Sequence, residues 1–460
     1  MGRRVILKGP KSSNPALIIF LTVAIFAASL LLLMYFDLFS YNVFTVTRRY
    51  GDYDTPYYSL AVALLLFIGI TVVVTLFRNR ILTYIWLVKA FVTLIVMIPY
   101  EMYYGLDAYM YYAEAVHFTG VHTHGKAGTF NTIVINHILT YIGGDSYYSL
   151  KLLNSFIAYI GLVFIYKSYE HVMKKSGFSL KNDYFVYVLF LFPSILFWSS
   201  ILGKDPLNLL FVGIFTYGFV RFIDRKRLAA VLWIVAGVVG VYYIRSWYAI
   251  IMIMSIGLYY SRFKTSRHLV RMVLFAPLFF LLFMEFLHTQ HITTFQDIFD
   301  KMSYTSEKLT YGGSSTEVSE INGLADYLVY YIPNLFTSLF RPMPWDIHNP
   351  FSLLAAVENT FLLYFTYQYI IKNWRVVFQN RYLRFFILFV FAWSLFYVII
   401  SPNNLGMAVR FKLQVLPAML IIIAVSRQIY RKQANRKKVF NAQQRHNASI
   451  GQRSKRDIDI

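Results

Sequence analysis

Twelve apolar stretches recur along the chain, separated by short basic links or by longer polar loops. Most approach the roughly 20 apolar residues that a helix needs to cross a bilayer. The pattern predicts membrane spans near residues 15–36, 58–77, 82–100, 147–166, 184–201, 206–223, 228–244, 246–260, 270–287, 351–371, 385–401 and 412–429. The first stretch is longer than the apolar core of a cleaved signal peptide, so we expect it to be retained as a span.

A further apolar stretch at 328–340 is shorter, contains Pro333 and is followed by Arg341. We interpret it as interfacial or re-entrant. Counting it as a thirteenth span would place the strongly basic C-terminal tail on the outer side of the membrane, against the positive-inside bias.

Lys and Arg are distributed unequally between the two sides that twelve spans define. The side that holds both termini carries 32 of them and the opposite side carries 10. Positive-inside bias therefore predicts cytoplasmic termini and long extracytoplasmic loops at 37–57, 101–146 and 288–350. The predicted fold is an all-α, polytopic transmembrane bundle over residues 1–430. The basic tail, 431–460, is predicted to be disordered because it is polar and highly charged.

The composition excludes a soluble domain and cysteine chemistry, and it leaves the predicted fold unchanged. A chain with 58% hydrophobic and 14% charged residues is not a soluble domain, and we expect a multi-pass protein of the cell membrane. We attribute the net charge of +22 to topology and to contact with anionic membrane lipids, and predict no nucleic-acid partner. Without cysteine there is no thiolate or disulfide. We predict no metal site, while a divalent cation held by carboxylates or histidines stays open as a cofactor.

A carboxylate in the second predicted external loop is the first candidate for catalysis. The segment EMYYGLDAYMYYAEAV, if helical, places Asp107 on one face with Tyr103 and Tyr111, and Glu114 lies further along. Aromatic neighbours at a membrane surface partly desolvate a carboxylate, which suits it to proton abstraction. The alternative is a solvated acid on an interfacial helix.

The first predicted external loop holds two secondary candidates, Asp52 and Asp54, in the segment TVTRRYGDYDTPYY. A solvated turn explains this pair equally well.

Cationic residues stand where other spans meet the outer surface. Lys204 and Asp205 precede a predicted helix, whose N-terminal amides together with a lysine can bind phosphate. Arg245 interrupts an apolar run, and the guanidinium of Arg410 matches a phosphate bidentately. Arg341 is a secondary candidate of the same kind. A local ion pair or a purely topogenic charge is the alternative for each.

Lys89 and Glu358 lie inside predicted spans, where an unpaired charge is costly. We expect each to have a polar partner within the bundle. A path for ions or protons is the alternative role.

Several segments in this order resemble the GT-C superfamily of polytopic glycosyltransferases, nearest to the protein O-mannosyltransferase type and its bacterial relatives. They are GLDAYMYYAEA, GGDSYYSLKLLNSFIAYIGLVFIY, FPSILFWSSILGKD, YYIRSWYAII and NNLGMAVRFKLQVLP, within residues 95–260 and 400–425. Such enzymes usually carry a catalytic acid in the first external loop. By resemblance this acid maps onto Asp107 if the first two spans are an added hairpin, which leaves Asp52 and Asp54 as rivals.

The resemblance implies transfer of a sugar from a polyprenyl-phosphate carrier at the extracytoplasmic face, in the assembly of envelope polysaccharide or glycolipid. Asp107 would take a proton from the hydroxyl of a glycan, lipid or protein acceptor. Lys204, Arg245 and Arg410 would stabilise the departing phosphate.

Two other functions fit the same pattern. A polysaccharide polymerase or ligase would use the late loop, 288–350, and Arg341. A flippase or other transporter of lipid-linked sugars would draw on Lys89 and Glu358 instead.

Overall fold

A computed structural model describes residues 14–39, 56–104, 107–120, 127–180, 183, 185–261, 324–400 and 404–456, with scattered positions between 277 and 300. Within these ranges the secondary structure is helical, and no β-strand occurs. The predicted all-α class is confirmed for the part of the chain that is described. The predicted span at 270–287 lies largely outside it.

Apart from the scattered positions between 277 and 300, the described ranges form eighteen α-helices. They are α1 (Pro15–Phe39), α2 (Pro56–Leu76), α3 (Arg80–Phe91), α4 (Met97–Tyr104), α5 (Ala108–Val116), α6 (Ala127–Gly143), α7 (Tyr147–Lys175), α8 (Phe185–Phe190), α9 (Pro193–Trp198), α10 (Lys204–Asp224), α11 (Leu228–Ile244), α12 (Ser246–Tyr260), α13 (Leu324–Phe340), α14 (Pro350–Phe365), α15 (Trp374–Gln379), α16 (Arg381–Ile400), α17 (Leu405–Lys412) and α18 (Leu416–Arg456). A π-helical turn, Val92–Val96, joins α3 to α4.

Five of the described helical segments are long and apolar enough to cross a bilayer: α1, α2, the α3–α4 unit, α7 and α10. The pair α17 and α18, bent by 65°, makes a sixth if it counts as one span. The apolar helices α11 and α12 are shorter. Internal hydrogen bonding of the backbone makes such helices stable in lipid, so the chain has the architecture of a helical membrane protein.

The centre of the bundle is the close contact between α7 and α10. A Cβ atom added at Gly213 would lie 2.4 Å from the carbonyl oxygen of Gly161, so only glycine permits this approach. Small residues allow this backbone contact between membrane helices, where packing rather than the hydrophobic effect drives association. On another face of α10, Phe219 stacks on Phe385 of α16 at 4.0 Å between ring centroids.

Residues 184–201, predicted as one span, form two short helices instead. The chain is extended at Phe192, between α8 and α9. Pro193 is the cause, because its ring disfavours helical geometry in the preceding residue and it has no N–H to donate.

The predicted external loop 101–146 contains helices α5 and α6. The second is 17 residues long and packs against the end of α11, where Asn131 Nδ2 donates to the carbonyl oxygen of Tyr243 at 2.8 Å. Its apolar side chains are covered on one face by α7 and α11, which explains a helix where the pattern predicted a loop.

The stretch at 328–340, interpreted from its sequence as interfacial or re-entrant, belongs to α13, a continuous helix that includes Pro333. Tyr331 donates to the carbonyl oxygen of Leu395 in α16 at 3.1 Å. Packing against the neighbouring helix α16 lets α13 tolerate its internal proline.

The tail also differs from its prediction, because α18 continues to Arg456. Ala, Gln, Lys and Arg are good helix formers, and this segment extends a helix already nucleated by residues 416–425. Residues 457–460 lie outside the described part.

The glycine contact gives a first prediction. Gly213→Ala should lower the thermal unfolding midpoint of the detergent-solubilised chain, since overpacking a tight contact costs about 1–3 kcal/mol. Gly69→Ala is the matched control, because no atom lies within 4 Å of a Cβ there. Equal midpoints for the two variants would contradict the packing described.

Candidate functional site

Asp205 lies in the first turn of α10 and is 2% exposed. Its Oδ1 accepts a hydrogen bond from Arg245 Nη2 at 2.7 Å, and its Oδ2 accepts one from Arg410 Nε at 2.6 Å. A carboxylate buried this deeply requires opposite charge, and two charge-assisted hydrogen bonds supply it. We call these three residues, together with Lys204, the Asp205 cluster.

The two arginines come from separate parts of the bundle. Arg245 is the single residue between α11 and α12, and Arg410 lies in α17. Each guanidinium also faces an aromatic ring: Arg245 lies 4.4 Å from the centroid of Phe411, and Arg410 lies 5.7 Å from that of Trp198. These cation–π contacts fix the planes of both side chains.

The bend between α17 and α18 is held by Gln414. Its side-chain oxygen accepts a hydrogen bond from Trp393 Nε1, and its carbonyl oxygen accepts one from the hydroxyl of Tyr248, both at 2.7 Å. Tyr248 is three residues beyond Arg245, so this contact keeps α17 beside the α11–α12 junction. Arg410 is thereby brought to Asp205.

Within the cluster, Lys204 lies on the side that faces α6. Its Nζ donates to Thr129 Oγ1 at 2.7 Å, and Thr129 is also hydrogen-bonded to Tyr111 of α5. Gly203, with φ of 149°, allows the chain to turn into α10, and a Cβ there would approach the Tyr111 ring to 3.3 Å. Burial, with a smaller effect of the Asp107 carboxylate, raises the pKa of Tyr111 to about 12.

Asp107 is exposed and precedes α5. Its carboxylate interacts electrostatically with the phenol of Tyr111 and with the guanidinium of Arg410. The structure thus brings five sequence-predicted residues to one end of the bundle: Asp107, Lys204, Asp205, Arg245 and Arg410. An exposed acid therefore lies beside a set of partly buried cations.

Two guanidinium groups share the Asp205 carboxylate, and Arg410 also interacts with the Asp107 carboxylate. Arg410 uses Nε for Asp205, and its two terminal nitrogens make no hydrogen bond to the described residues. Arg410 is also partly exposed, so this edge of the guanidinium can accept an anion.

Arg341 belongs to a separate ion pair. Its Nη2 and Nε donate to the two carboxylate oxygens of Asp346 at 2.6 and 3.0 Å. The carbonyl oxygen of the adjacent Pro342 accepts a hydrogen bond from Asn359, and Lys412 donates to the same amide side chain. This chain of contacts links the Arg341 loop to α17, two residues from Arg410.

The charges predicted to need partners inside the bundle have them. Lys89 Nζ donates to the carbonyl oxygen and Oγ of Ser199, at 2.8 and 2.5 Å, and to Oγ of Ser200 at 3.2 Å. Glu358 accepts a hydrogen bond from the backbone N–H of Ser194 at 2.7 Å and interacts with Lys412. Both therefore hold the ends of α9, which precedes the turn into α10.

Three further candidates were predicted from the sequence. Asp52 and Asp54 lie outside the described residues, and Glu114 is half-buried in the last turn of α5. No group of three His, Asp or Glu side chains that could hold a metal ion occurs among the described residues.

Sequence reasoning did not identify Thr129, Trp198 or Phe411 as part of the site. Trp198 and Phe411 stand within the segments that carried the resemblance, but their contacts with the arginines depend on helix packing. Thr129 had no signal, because it begins a helix that was predicted as loop.

Comparison with protein-family models, curated proteins and solved structures finds no match to this chain. The site must therefore be interpreted from its own geometry.

Asp205→Asn should strongly destabilise the protein, because it leaves two guanidinium groups without their counter-ion. Breaking a buried pair in this way costs about 3–5 kcal/mol. The unfolding midpoint in detergent measures the effect, and Asp145→Asn, at an exposed aspartate, is the control. A midpoint no lower than that of the control would refute the role assigned to Asp205.

The Arg341–Asp346 pair should give a pH-dependent contribution to stability. The hydrogen bonds from Arg341 lower the pKa of Asp346. Its contribution is therefore complete above the unfolded pKa of about 4 and disappears as the pH falls through the lower folded value. The difference in unfolding midpoint between the unmodified chain and Asp346→Asn should be constant from about pH 7 to 5 and shrink below about pH 4. A constant difference down to about pH 2 would oppose this account.

Proposed function

We propose that this chain is an integral membrane glycosyltransferase of GT-C type. It moves a sugar from a polyprenyl-phosphate carrier to a glycan, lipid or protein acceptor in envelope polysaccharide or glycolipid assembly. The observation that carries the proposal is the Asp205 cluster, where one carboxylate holds Arg245 and Arg410, Lys204 is hydrogen-bonded to Thr129 next to them, and the exposed Asp107 lies close to Arg410.

The position of the cluster along α10 supports a lipid-linked substrate. Asp205 and Asp224 stand 19 residues apart, which is about 28 Å at the helical rise of 1.5 Å per residue. This nearly equals the hydrocarbon thickness of a bilayer. In the proposed topology, a twelve-span protein of the cell membrane with cytoplasmic termini, the cluster lies at the extracytoplasmic boundary of the hydrocarbon layer, next to the lipid phosphates.

The reaction follows from the charges. Asp107 takes the proton of an acceptor hydroxyl, and the hydroxyl oxygen bonds to the anomeric carbon of the donor sugar. The bond between that carbon and the phosphate oxygen breaks, and polyprenyl phosphate leaves with the electron pair. Lys204 and the exposed edge of Arg410 stabilise the negative charge of the leaving group.

Asp205 and Arg245 act by positioning. Both carboxylate oxygens of Asp205 accept hydrogen bonds from the two arginines. Asp205 therefore orients Arg410 and takes no part in proton transfer. Preorganised cations at a site that excludes water stabilise developing charge most effectively.

A polysaccharide polymerase or ligase is the second candidate. The observation that favours it is the hydrogen-bonded link from the Arg341 loop, through Asn359 and Lys412, to the helix that carries Arg410. In that case the late loop binds the growing glycan.

Asp107→Asn should reduce transfer of labelled sugar from polyprenyl-phosphate donors by about 100-fold or more, the usual contribution of a general base. Arg341→Ala should retain most of the activity, and Asp145→Asn should retain all of it. The measurement is product formation by the purified chain in liposomes. Full activity in Asp107→Asn together with an inactive Arg341→Ala would favour the polymerase or ligase. Movement of the lipid-linked sugar across the bilayer without a new glycosidic bond would instead support a flippase.

Arg410→Gln should weaken binding of polyprenyl phosphate by about tenfold to 100-fold, since a charge-assisted bidentate contact is lost. Arg375→Gln, at the far end of the bundle, is the matched control. Titration of both variants with the lipid in detergent gives the comparison, and equal affinities would exclude Arg410 from the phosphate site.

A further inference from the structure

A second set of cations surrounds Asp224, at the opposite end of α10 from Asp205. Asp224 accepts contacts from Lys175 Nζ at 2.8 Å and from Arg381 Nη2 at 3.0 Å. The hydroxyl of Tyr382 lies 3.4 Å from the same carboxylate. We call these four residues, with His171, the Asp224 cluster.

The Asp224 cluster joins three helices, because Lys175 ends α7, Asp224 ends α10 and Arg381 begins α16. The carboxylate is 12% exposed, whereas the side chains of Lys175 and Arg381 are 42% and 50% exposed. The Asp224 carboxylate is therefore largely buried between the ends of the three helices, whereas the side chains of Lys175 and Arg381 are exposed.

The positive charges at this end of α10 outnumber the single negative charge of Asp224. Arg381 uses Nη2 for both Asp224 and the Tyr382 hydroxyl, so Nε and Nη1 make no hydrogen bond to the described residues. His171 Nε2 lies 3.7 Å from Asp224 and is buried without a hydrogen-bond partner. Arg221 adds a further positive charge near His171.

The depth of the cluster indicates the ligand. The helical distance of about 28 Å between Asp205 and Asp224 places the two clusters at opposite boundaries of one hydrocarbon layer. Headgroup phosphates lie at both boundaries, and arginine and lysine near a membrane surface attract anionic lipids.

We propose that the Asp224 cluster is a binding site for a phosphate group, supplied by the headgroup of an anionic phospholipid in the leaflet opposite the Asp205 cluster. Lys175 and Arg381 contact the phosphate, while Asp224 and Tyr382 fix their orientation. The site ties the ends of three helices to that leaflet, independently of the proposed sugar transfer.

The test titrates the purified full-length chain in detergent with phosphatidylglycerol and reads lipid retention by native mass spectrometry. Phosphatidylcholine is the zwitterionic reference, and inorganic phosphate is the competitor. We expect preferential retention of phosphatidylglycerol. In the double variant Lys175→Gln/Arg381→Gln, binding should weaken about 25-fold, since each cation near an anionic lipid contributes about a factor of five.

Two matched variants distinguish the effect of charge at the Asp224 cluster from the effects of overall charge and of misfolding. Lys174→Gln/Arg375→Gln removes the same charge from neighbouring positions, where Lys174 pairs with Glu170, and should bind as the unmodified chain does. Lys175→Arg/Arg381→Lys keeps the charge and should retain binding, which shows that loss in the glutamine variant is not misfolding.

The outcomes discriminate the sources of phosphate. Competition by inorganic phosphate at millimolar concentration, with no preference for phosphatidylglycerol over phosphatidylcholine, would replace the lipid by a free phosphate and overturn the headgroup assignment. Equal retention of both lipids without phosphate competition, or equal weakening in the neighbouring-charge control, would overturn the site itself.

Discussion

The constraint on which this structure depends is that a charge inside a membrane protein must be neutralised or hydrogen-bonded. Asp205 shows the consequence most clearly. Its carboxylate is buried at the start of α10, and two guanidinium groups from other parts of the chain form ion pairs with it. Arg245 and Arg410 therefore converge, and with them the α11–α12 junction and the bent pair α17 and α18. The need of the buried Asp205 carboxylate for opposite charge therefore brings the residues of the candidate site together.

The same constraint acts at deeper positions in the bundle. Lys151 pairs with Glu101 at 2.6 Å, and Lys89 is satisfied by the serines that end α9. Glu358 holds the other end of α9. These polar contacts differ from the Asp205 cluster in one respect that matters for function. Each of these contacts is buried, whereas the Asp205 cluster has a partly exposed guanidinium, that of Arg410, beside Asp107.

Sequence alone predicted the helical class and the five long apolar helices, because the length of an apolar run has a direct physical meaning in a bilayer. It could not predict the break at Pro193 or the helix 127–143, since a run of apolar residues does not report local backbone geometry or packing. Within the site, Lys204 and Arg410 were recognisable as charges at span ends. That Asp205 binds two arginines was not, because those contacts join residues 40 and 205 positions apart. Helix packing creates such proximity, and no local pattern records it.

The central claim is that the Asp205 cluster binds the phosphate of a polyprenyl carrier. A structure of the full-length chain with bound polyprenyl phosphate, determined by electron cryo-microscopy in a lipid nanodisc, tests it most directly. We expect phosphate oxygens within hydrogen-bonding distance of the terminal nitrogens of Arg410 and of Lys204. Phosphate bound instead at Arg341, or at the opposite end of α10, would contradict it.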